Sequence, residues 1–361
     1  MNMSIAYFGF WEGNIKRPYT VKWFFNVYRK IRDQVRTKIF IHNKYLTNPY
    51  INTPLANIPL SVYSSYLGKL SSRFDAVHVI TQWGVYWKAA KYSRAKLKLI
   101  TFHDAFDPYG NLIASIDSIL NVFDIIITPS NYTRKFLVEL NETVDPVVIY
   151  NSVNTRVFYP MSVEAKLRHK KRFFEKHGLP NDEILLLYVG TDKPSKNLER
   201  LIESVRILRE NFGVSNISLI KVGPNVRKQE IVDFANAQGV RMLFYENVPD
   251  NVLNILYNIS DIYVQPSLRE GFGMPLIEAM ATGTPVVGSA ITSIPEVLGK
   301  AGLLFNPLDS WDIAKSIFRV LSRTSIQRHL SQEGLKRVKE LFSVDVIAET
   351  YLGLLSEYVD G

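Results

Sequence analysis

Residues 184–223 read ILLLYVGTDKPSKNLERLIESVRILRENFGVSNISLIKVG, and this stretch decides the fold class. Its two ends, 184–190 and 217–223, are apolar at nearly every position, the pattern of strands buried on both faces of a parallel sheet. Between them, apolar residues at Leu198, Leu201, Ile202, Val205, Leu208 and Phe212 make one face of a helix, and Gly213 follows as its C-cap. Strand, loop, helix and strand in this order predict an α/β protein.

Similar runs recur outward in both directions. The first half has SIAYFGF (4–10), AVHVIT (76–81), KLITF (98–102), DIIIT (124–128) and PVVIY (146–150). The second half adds RMLFY (241–245), DIYVQP (261–266), PVVGS (285–289) and GLLF (302–305). Recurrence in both halves predicts two doubly wound, Rossmann-like domains facing across a cleft. The expected boundaries are 1–160, a charged linker over 161–180 with the hinge near 155–180, and 181–344. The last helix, with a stripe at Ile347, Tyr351, Leu354, Leu355 and Val359, is expected to pack back on the first domain over 345–361. Ligands of such sheets bind beyond the carboxyl ends of the strands. That directs attention to the loops 9–18, 103–110, 190–197, 223–228 and 265–275.

Composition fits this reading. A chain of 361 residues with 47% hydrophobic and 21% charged residues is long enough for two globular cores. It has no run of 18 apolar residues, and its start lacks the layout of a signal peptide. The absence of cysteine excludes disulfides, thiolate metal sites and a cysteine nucleophile. A cytoplasmic chain is expected. The net charge of +9 is uneven: residues 1–180 hold 25 Lys+Arg against 12 Asp+Glu, and the rest hold 18 against 22. A basic first half suits an anionic partner such as an acidic acceptor, a phospholipid surface or nucleic acid, and equally a solvated lysine-rich surface.

Two of the five loops carry chemistry. In REGFGMPLIEAMATGTPVV (269–287), Glu270 sits in a glycine-rich loop, Pro275 opens a helix, and Glu278 is expected in its first turn. A helix start attracts phosphate, whereas carboxylates accept hydrogen bonds from sugar and ribose hydroxyls. A ligand with both parts, a nucleotide sugar, satisfies the whole arrangement. The plain alternative is that Glu278 complements the helix dipole and Glu270 is a surface charge. In the loop 190–197, Lys193 and Lys196 fall before or at a helix N-terminus, where a cation opposes the dipole unless an anion lies between.

The segment PSLREGFGMPLIEAMATGTPVVGSAITSIPEVLGKAGLLFNPLD (266–309) resembles the donor-binding signature of glycosyltransferase family 4, within glycosyltransferase group 1: retaining enzymes of the GT-B fold. VIYNSVNTRVFYP (148–160) is similar to that family's interdomain segment, and ITPSNYTRKFLVEL (127–140) and LYVGTDKPSKNLERLI (187–202) align by pattern. The resemblance covers about residues 95–310. It implies that Glu270 holds donor-sugar hydroxyls, helped by backbone N–H groups around Gly271, Phe272, Gly273 and Met274. Glu278 would bind the ribose and Lys196 the diphosphate. Gly13, Lys193, Gly223 and Val248 would border the phosphate or base, and His103, in TFHDAF, would stand beside the donor sugar. Without those neighbours His103 reads first as a core histidine at a strand end; with them the site is the favoured reading. Two departures stand out. The family commonly has Gly-Arg where this chain reads Gly190-Thr191-Asp192, which leaves Lys193 to supply that charge, and the first loop has the single central glycine Gly13.

The implied reaction is retaining transfer of a hexose from a GDP-, UDP- or ADP-hexose to a hydroxyl of a glycan, lipid-linked or protein-linked saccharide. No cofactor or metal is expected. The basic helix in TVKWFFNVYRKIRDQVR (20–36) would pack on its sheet and add peripheral contact with an anionic membrane at the inner face. Three alternatives stay open: a glycoside hydrolase using the two carboxylates, a basic nucleic-acid-binding protein, and a catalytically silent scaffold on the same fold.

Overall fold

Apolar runs become parallel strands in both halves of the chain. The structure, a computed structural model, describes residues 3–11, 19–43, 68–69, 72–81, 86–104 and 116–358. It divides into two units: Met1–Ser152 together with Val344–Gly361, and Val153–Ser343.

The strands of the first unit are β1 (Ser4–Trp11), β2 (Arg36–Asn43), β3 (Ala76–Val79), β4 (Leu97–Thr101), β5 (Ile125–Thr128) and β6 (Val147–Val148). They pair in the order β2-β1-β3-β4-β5-β6, all parallel. Strand order reverses between β1 and β3, the switch point where such sheets bind ligands. β2 has no counterpart among the apolar runs of the sequence, because only Ile39, Phe40 and Ile41 of its eight residues are apolar.

Helix Tyr19–Ile31 packs on this sheet through Phe24, Val27 and Ile31, leaving Arg29 and Lys30 exposed. The final helix, Val344–Glu357, buries Ile347, Ala348, Tyr351, Leu354 and Leu355 in the same cluster as Ile5, Tyr7 and Phe24. Val359 lies outside the described residues. Polar contacts also hold that helix: His78 Nδ1 pairs with the Tyr351 hydroxyl at 2.8 Å, that hydroxyl reaches the Tyr7 hydroxyl at 3.4 Å, and Lys30 meets Asp345 at 2.6 Å. Burial, with a smaller contribution from His103, lowers the His78 pKa to about 3, so the ring is neutral at pH 7.

The second unit has β7 (Ile184–Val189), β8 (Ile217–Val222), β9 (Arg241–Tyr245), β10 (Ile262–Gln265), β11 (Val286–Ser289) and β12 (Gly302–Phe305). Their order, β12-β11-β10-β7-β8-β9, is again all parallel, and it places the switch point between β7 and β10. Helix Leu198–Phe212 lays Leu198, Leu201, Ile202, Val205 and Leu208 on the sheet beside Ile313 and Ile317 of helix Ser310–Leu321. Each such side chain contributes roughly 1.5–3 kcal/mol by leaving water. Gly213, at φ 68, ends the first of these helices in the left-handed conformation that glycine favours.

The expected linker over 161–180 is a correction. Residues Val163–His177 form a helix of the second unit, capped by Ser162 and by Gly178 at φ 61. It buries Phe173 and Phe174 and ties Lys170 to Asp261 at 2.8 Å. The charges that suggested a spacer are its solvent face, and the division between units falls at Ser152 and Val153 instead.

Candidate functional site

The loops after β7 and β10 leave the switch point of the second sheet side by side. Asn197, buried and in the left-handed conformation at φ 58, staples them together. Its side-chain amide donates to Pro266 O at 3.0 Å and Pro307 O at 2.7 Å, and Leu268 N donates to Ser195 O at 2.8 Å. Lys196, the residue before the staple, is thereby set against Glu270, and its Nζ reaches Glu270 Oε1 at 2.6 Å. Both side chains stay partly open, 25% and 13% exposed.

The partners of Glu270 are unequally shared between its oxygens. Besides Lys196, Oε1 accepts from Gln265 Nε2 at 2.7 Å and from Ser267 Oγ at 2.8 Å. Oε2 takes no protein donor among the described residues. The backbone is anchored too: Glu270 N donates to Thr292 Oγ1 at 3.3 Å, and Ser293 Oγ donates to Glu270 O at 3.0 Å. One oxygen is thus saturated and holds the carboxylate still, while the other keeps its acceptor capacity. Gln265, Ser267, Thr292 and Ser293 were not singled out in the sequence. Their only signal is that they flank the carboxylate and its following strand with hydroxyls and an amide.

Gly273, at φ 94, opens helix Met274–Ala281, and a Cβ there would stand 2.7 Å from Leu276 Cδ1. Gly271 is half-buried, and the Phe272 ring is buried edge-on to Phe342, at 5.7 Å between centroids. The first-turn N–H groups around Met274 have no intrahelical acceptor, as at any helix start. Glu278 differs from its expected place. It lies in the second turn, is 0% exposed, and its Oε2 accepts from the Tyr257 hydroxyl at 3.1 Å.

In the loop after β7, Lys193 is half-buried ahead of the short turn Pro194–Lys196. Where the resemblance anticipates arginine, the chain uses Asp192 internally: its carboxylate accepts from Val226 N at 2.7 Å and Arg227 N at 2.8 Å. Beside it, Thr191 Oγ1 is the one buried side-chain polar atom without a partner among the described residues. Gly223, at φ 120, lets the two loops touch, since a Cβ there would meet Gly190 O at 2.7 Å. Val248 is half-buried in the turn before helix Asp250–Ile259. The structure therefore brings Lys196 and Glu270 into contact and joins the Gly223 loop to theirs.

His103 belongs to the first unit, two residues beyond β4, and is buried. Its Nε2 donates to Ile80 O at 3.0 Å, the residue after β3 at that sheet's switch point. Burial, partly opposed by this hydrogen bond, lowers its pKa to about 4. The ring is neutral at pH 7, and with the proton on Nε2 its Nδ1 is an acceptor. Gly13 and the loops 12–18 and 105–110 lie outside the described residues.

Comparison with known proteins bears on the family and the fold. The family described as Glycosyl transferases group 1 matches residues 169–337. The O-antigen chain mannosyltransferase B of Escherichia coli is 31% identical over 263 residues, covering 68% of this chain and 67% of that protein. The sucrose-phosphate synthase of Thermosynechococcus elongatus superposes with a TM-score of 0.80 at 20% identity, covering 99% of each chain. Anabaena HepE, solved in complex with UDP-glucose, gives 0.79 at 18% identity, covering 99% of this chain and 100% of its own. These two likenesses show the fold, which is GT-B.

Proposed function

The chain belongs to the group 1 glycosyltransferases, and we propose that it transfers a hexose from a nucleoside-diphosphate sugar to a saccharide or lipid-linked hydroxyl, with retention, as in family 4. The observation that carries this reading is the divided carboxylate of Glu270. Three donors on Oε1 hold it, and Oε2 is left to accept from a sugar hydroxyl. Lys196 spends one ammonium proton on Glu270 and keeps two for the diphosphate. The orphaned Thr191 hydroxyl, in the same loop, gains a partner if a phosphate oxygen lies against it. Glycoside hydrolysis finds no such support, because Glu278 is sealed against Tyr257 and cannot flank a glycosidic bond with Glu270.

In the transfer, the bond from the anomeric carbon to the diphosphate oxygen breaks and a bond to the acceptor oxygen forms on the same face. The acceptor's proton passes to the departing diphosphate. Negative charge grows on that leaving group, and Lys196 with the helix start at Met274 stabilises it without a metal ion. The relative named a mannosyltransferase makes mannose the first hexose to test. Basic residues Arg29, Lys30 and Arg32 remain exposed on the first unit for an anionic membrane.

The test is transfer from a panel of nucleoside-diphosphate hexoses in EDTA, with the product's anomeric configuration read by NMR. A product with the donor's configuration is expected. An inverted product, or hydrolysis of simple glycosides without transfer, contradicts the proposal. Equal recovery on neutral and anionic liposomes contradicts the membrane contact.

A further inference from the structure

A lysine inside a parallel strand is unusual, and Lys221 sits in β8 with no exposed surface, paired to Tyr188 of β7 and Phe244 of β9. Its ammonium is not left among apolar groups. It reaches past the strand end and donates to Gly223 O at 2.8 Å, to Pro224 O at 2.6 Å and to Asn225 Oδ1. Three ammonium protons meet three acceptors on three successive residues. Asn225 passes the contact on to Glu246 through its own amide.

This arrangement orients the whole turn. With the carbonyls of Gly223 and Pro224 drawn in toward Lys221, the next N–H groups, of Val226 and Arg227, face the Asp192 carboxylate. Arg227 adds a charged contact to Glu199 at 2.6 Å. Asp192 in turn precedes Lys193 and Lys196 on the loop after β7. A continuous set of hydrogen bonds therefore runs from a buried cation, through the 223–227 turn, to the loop that carries Lys196.

We propose that Lys221 is a positioning residue for the donor diphosphate, holding the 223–227 turn and, through Asp192, the Lys196 loop. The inference rests on the reading of Lys196 as the diphosphate's partner. Lys221 does not touch the donor. It acts by keeping two loops in register, so its loss should weaken donor binding more than it slows the transfer step.

The same burial makes the device sensitive to pH. Desolvation brings the Lys221 pKa down to about 8, with Asp192 and Glu246 pulling it up and Lys228 pushing it further down. Tyr188, on the neighbouring strand, is held well above its ordinary value by burial and stays neutral. Above pH 8 the amine keeps two N–H donors for three acceptors, and the turn loosens. The fold as a whole does not weaken for this reason. A lysine whose pKa is lowered in the folded state releases its proton before the unfolded chain does, so its contribution to stability rises with pH between about 8 and the ordinary lysine value near 10.4.

The experiment titrates GDP, UDP and ADP by calorimetry from pH 7 to 9.5 into the wild-type chain, Lys221→Met and Lys221→Arg, with donor KM, kcat and melting temperature measured alongside. The wild type should lose about tenfold in affinity across that range, a change equivalent to one decade per 1.4 kcal/mol. Lys221→Met should be about tenfold weaker at pH 7 and flat above it, with kcat within about twofold. Lys221→Arg, which keeps its charge, should hold its affinity to pH 9.5. A flat wild-type profile, wild-type affinity in Lys221→Met, or an unchanged alkaline loss in Lys221→Arg each overturns the inference alone. No binding of any of the three nucleotides to the wild type at pH 7 overturns the proposed function, and the inference with it.

Discussion

Glu270 and Glu278 stand eight positions apart in one motif, yet the structure treats them in opposite ways. Glu270 is on a loop, clamped through one oxygen and open at the other. Glu278 is on a helix, fully enclosed, with the Tyr257 hydroxyl on its carboxylate. The difference teaches that spacing alone does not assign a role to a carboxylate; the partners of each oxygen do. An anchored, half-free carboxylate is suited to a ligand hydroxyl, whereas the enclosed one meets, through Tyr257, the neighbouring helix Asp250–Ile259. Any contact of Glu278 with the donor ribose, a role the resemblance implies, requires that enclosure to open.

The contrast can be broken by mutation. Glu270→Gln should lower kcat/KM by about 100- to 1,000-fold, the scale of losing one aligned polar contact in a transition state, with little change in melting temperature. Glu278→Ala should do the reverse. It removes a fully buried carboxylate together with its hydrogen bond from the Tyr257 hydroxyl and should cost about 2–4 kcal/mol in denaturant unfolding, while folded protein retains most of its transfer rate. If Glu278→Ala unfolds like the wild type, the enclosure has no energetic meaning and the comparison fails.

Acid sharpens the same contrast between enclosed and open groups. His78 and His103 are both neutral and buried, with folded pKa values of about 3 and about 4 against an ordinary 6.5. Their share of stability is complete above pH 6.5 and is lost as pH falls toward 4, because the unfolded chain takes up protons that the folded chain refuses. Each costs up to about 1.4 kcal/mol per pH unit in that window. Melting followed from pH 7.5 to 4.5 should fall below 6.5, and a flat profile would contradict the burial of both rings. The smallest effect is expected for Tyr257→Phe, about 1–2 kcal/mol from the loss of one hydrogen bond to a carboxylate, measured by the same unfolding curves.

Much of this was legible before any coordinates. Continuous apolar runs marked every strand of the second sheet, since strands covered on both faces have no polar side to hide them. The loops after β7 and β10 followed from the rule for switch points, and they hold Lys196 and Glu270. Other features were not readable. β2 escaped because polar residues outnumber the three apolar ones in its run, and helix Val163–His177 looked like a spacer because most of its surface is charged. The burial of Glu278, the His78–Tyr351 pair and the clamp at Lys221 depend on contacts across 21, 273 and 2–4 residues. The first two are set by packing alone. The last is local, but a lysine in a strand gives no sign of which way its ammonium turns.

The central claim is that the open oxygen of Glu270 receives the donor's sugar. Its most direct test compares the affinity of a nucleoside-diphosphate hexose with that of the bare nucleoside diphosphate, in the wild type and in Glu270→Ala. The account predicts that the wild type binds the sugar nucleotide more tightly, and that Glu270→Ala abolishes this increment while its affinity for the bare nucleotide stays within about threefold. An increment that survives the substitution unchanged would show the hexose bound elsewhere and would contradict the account.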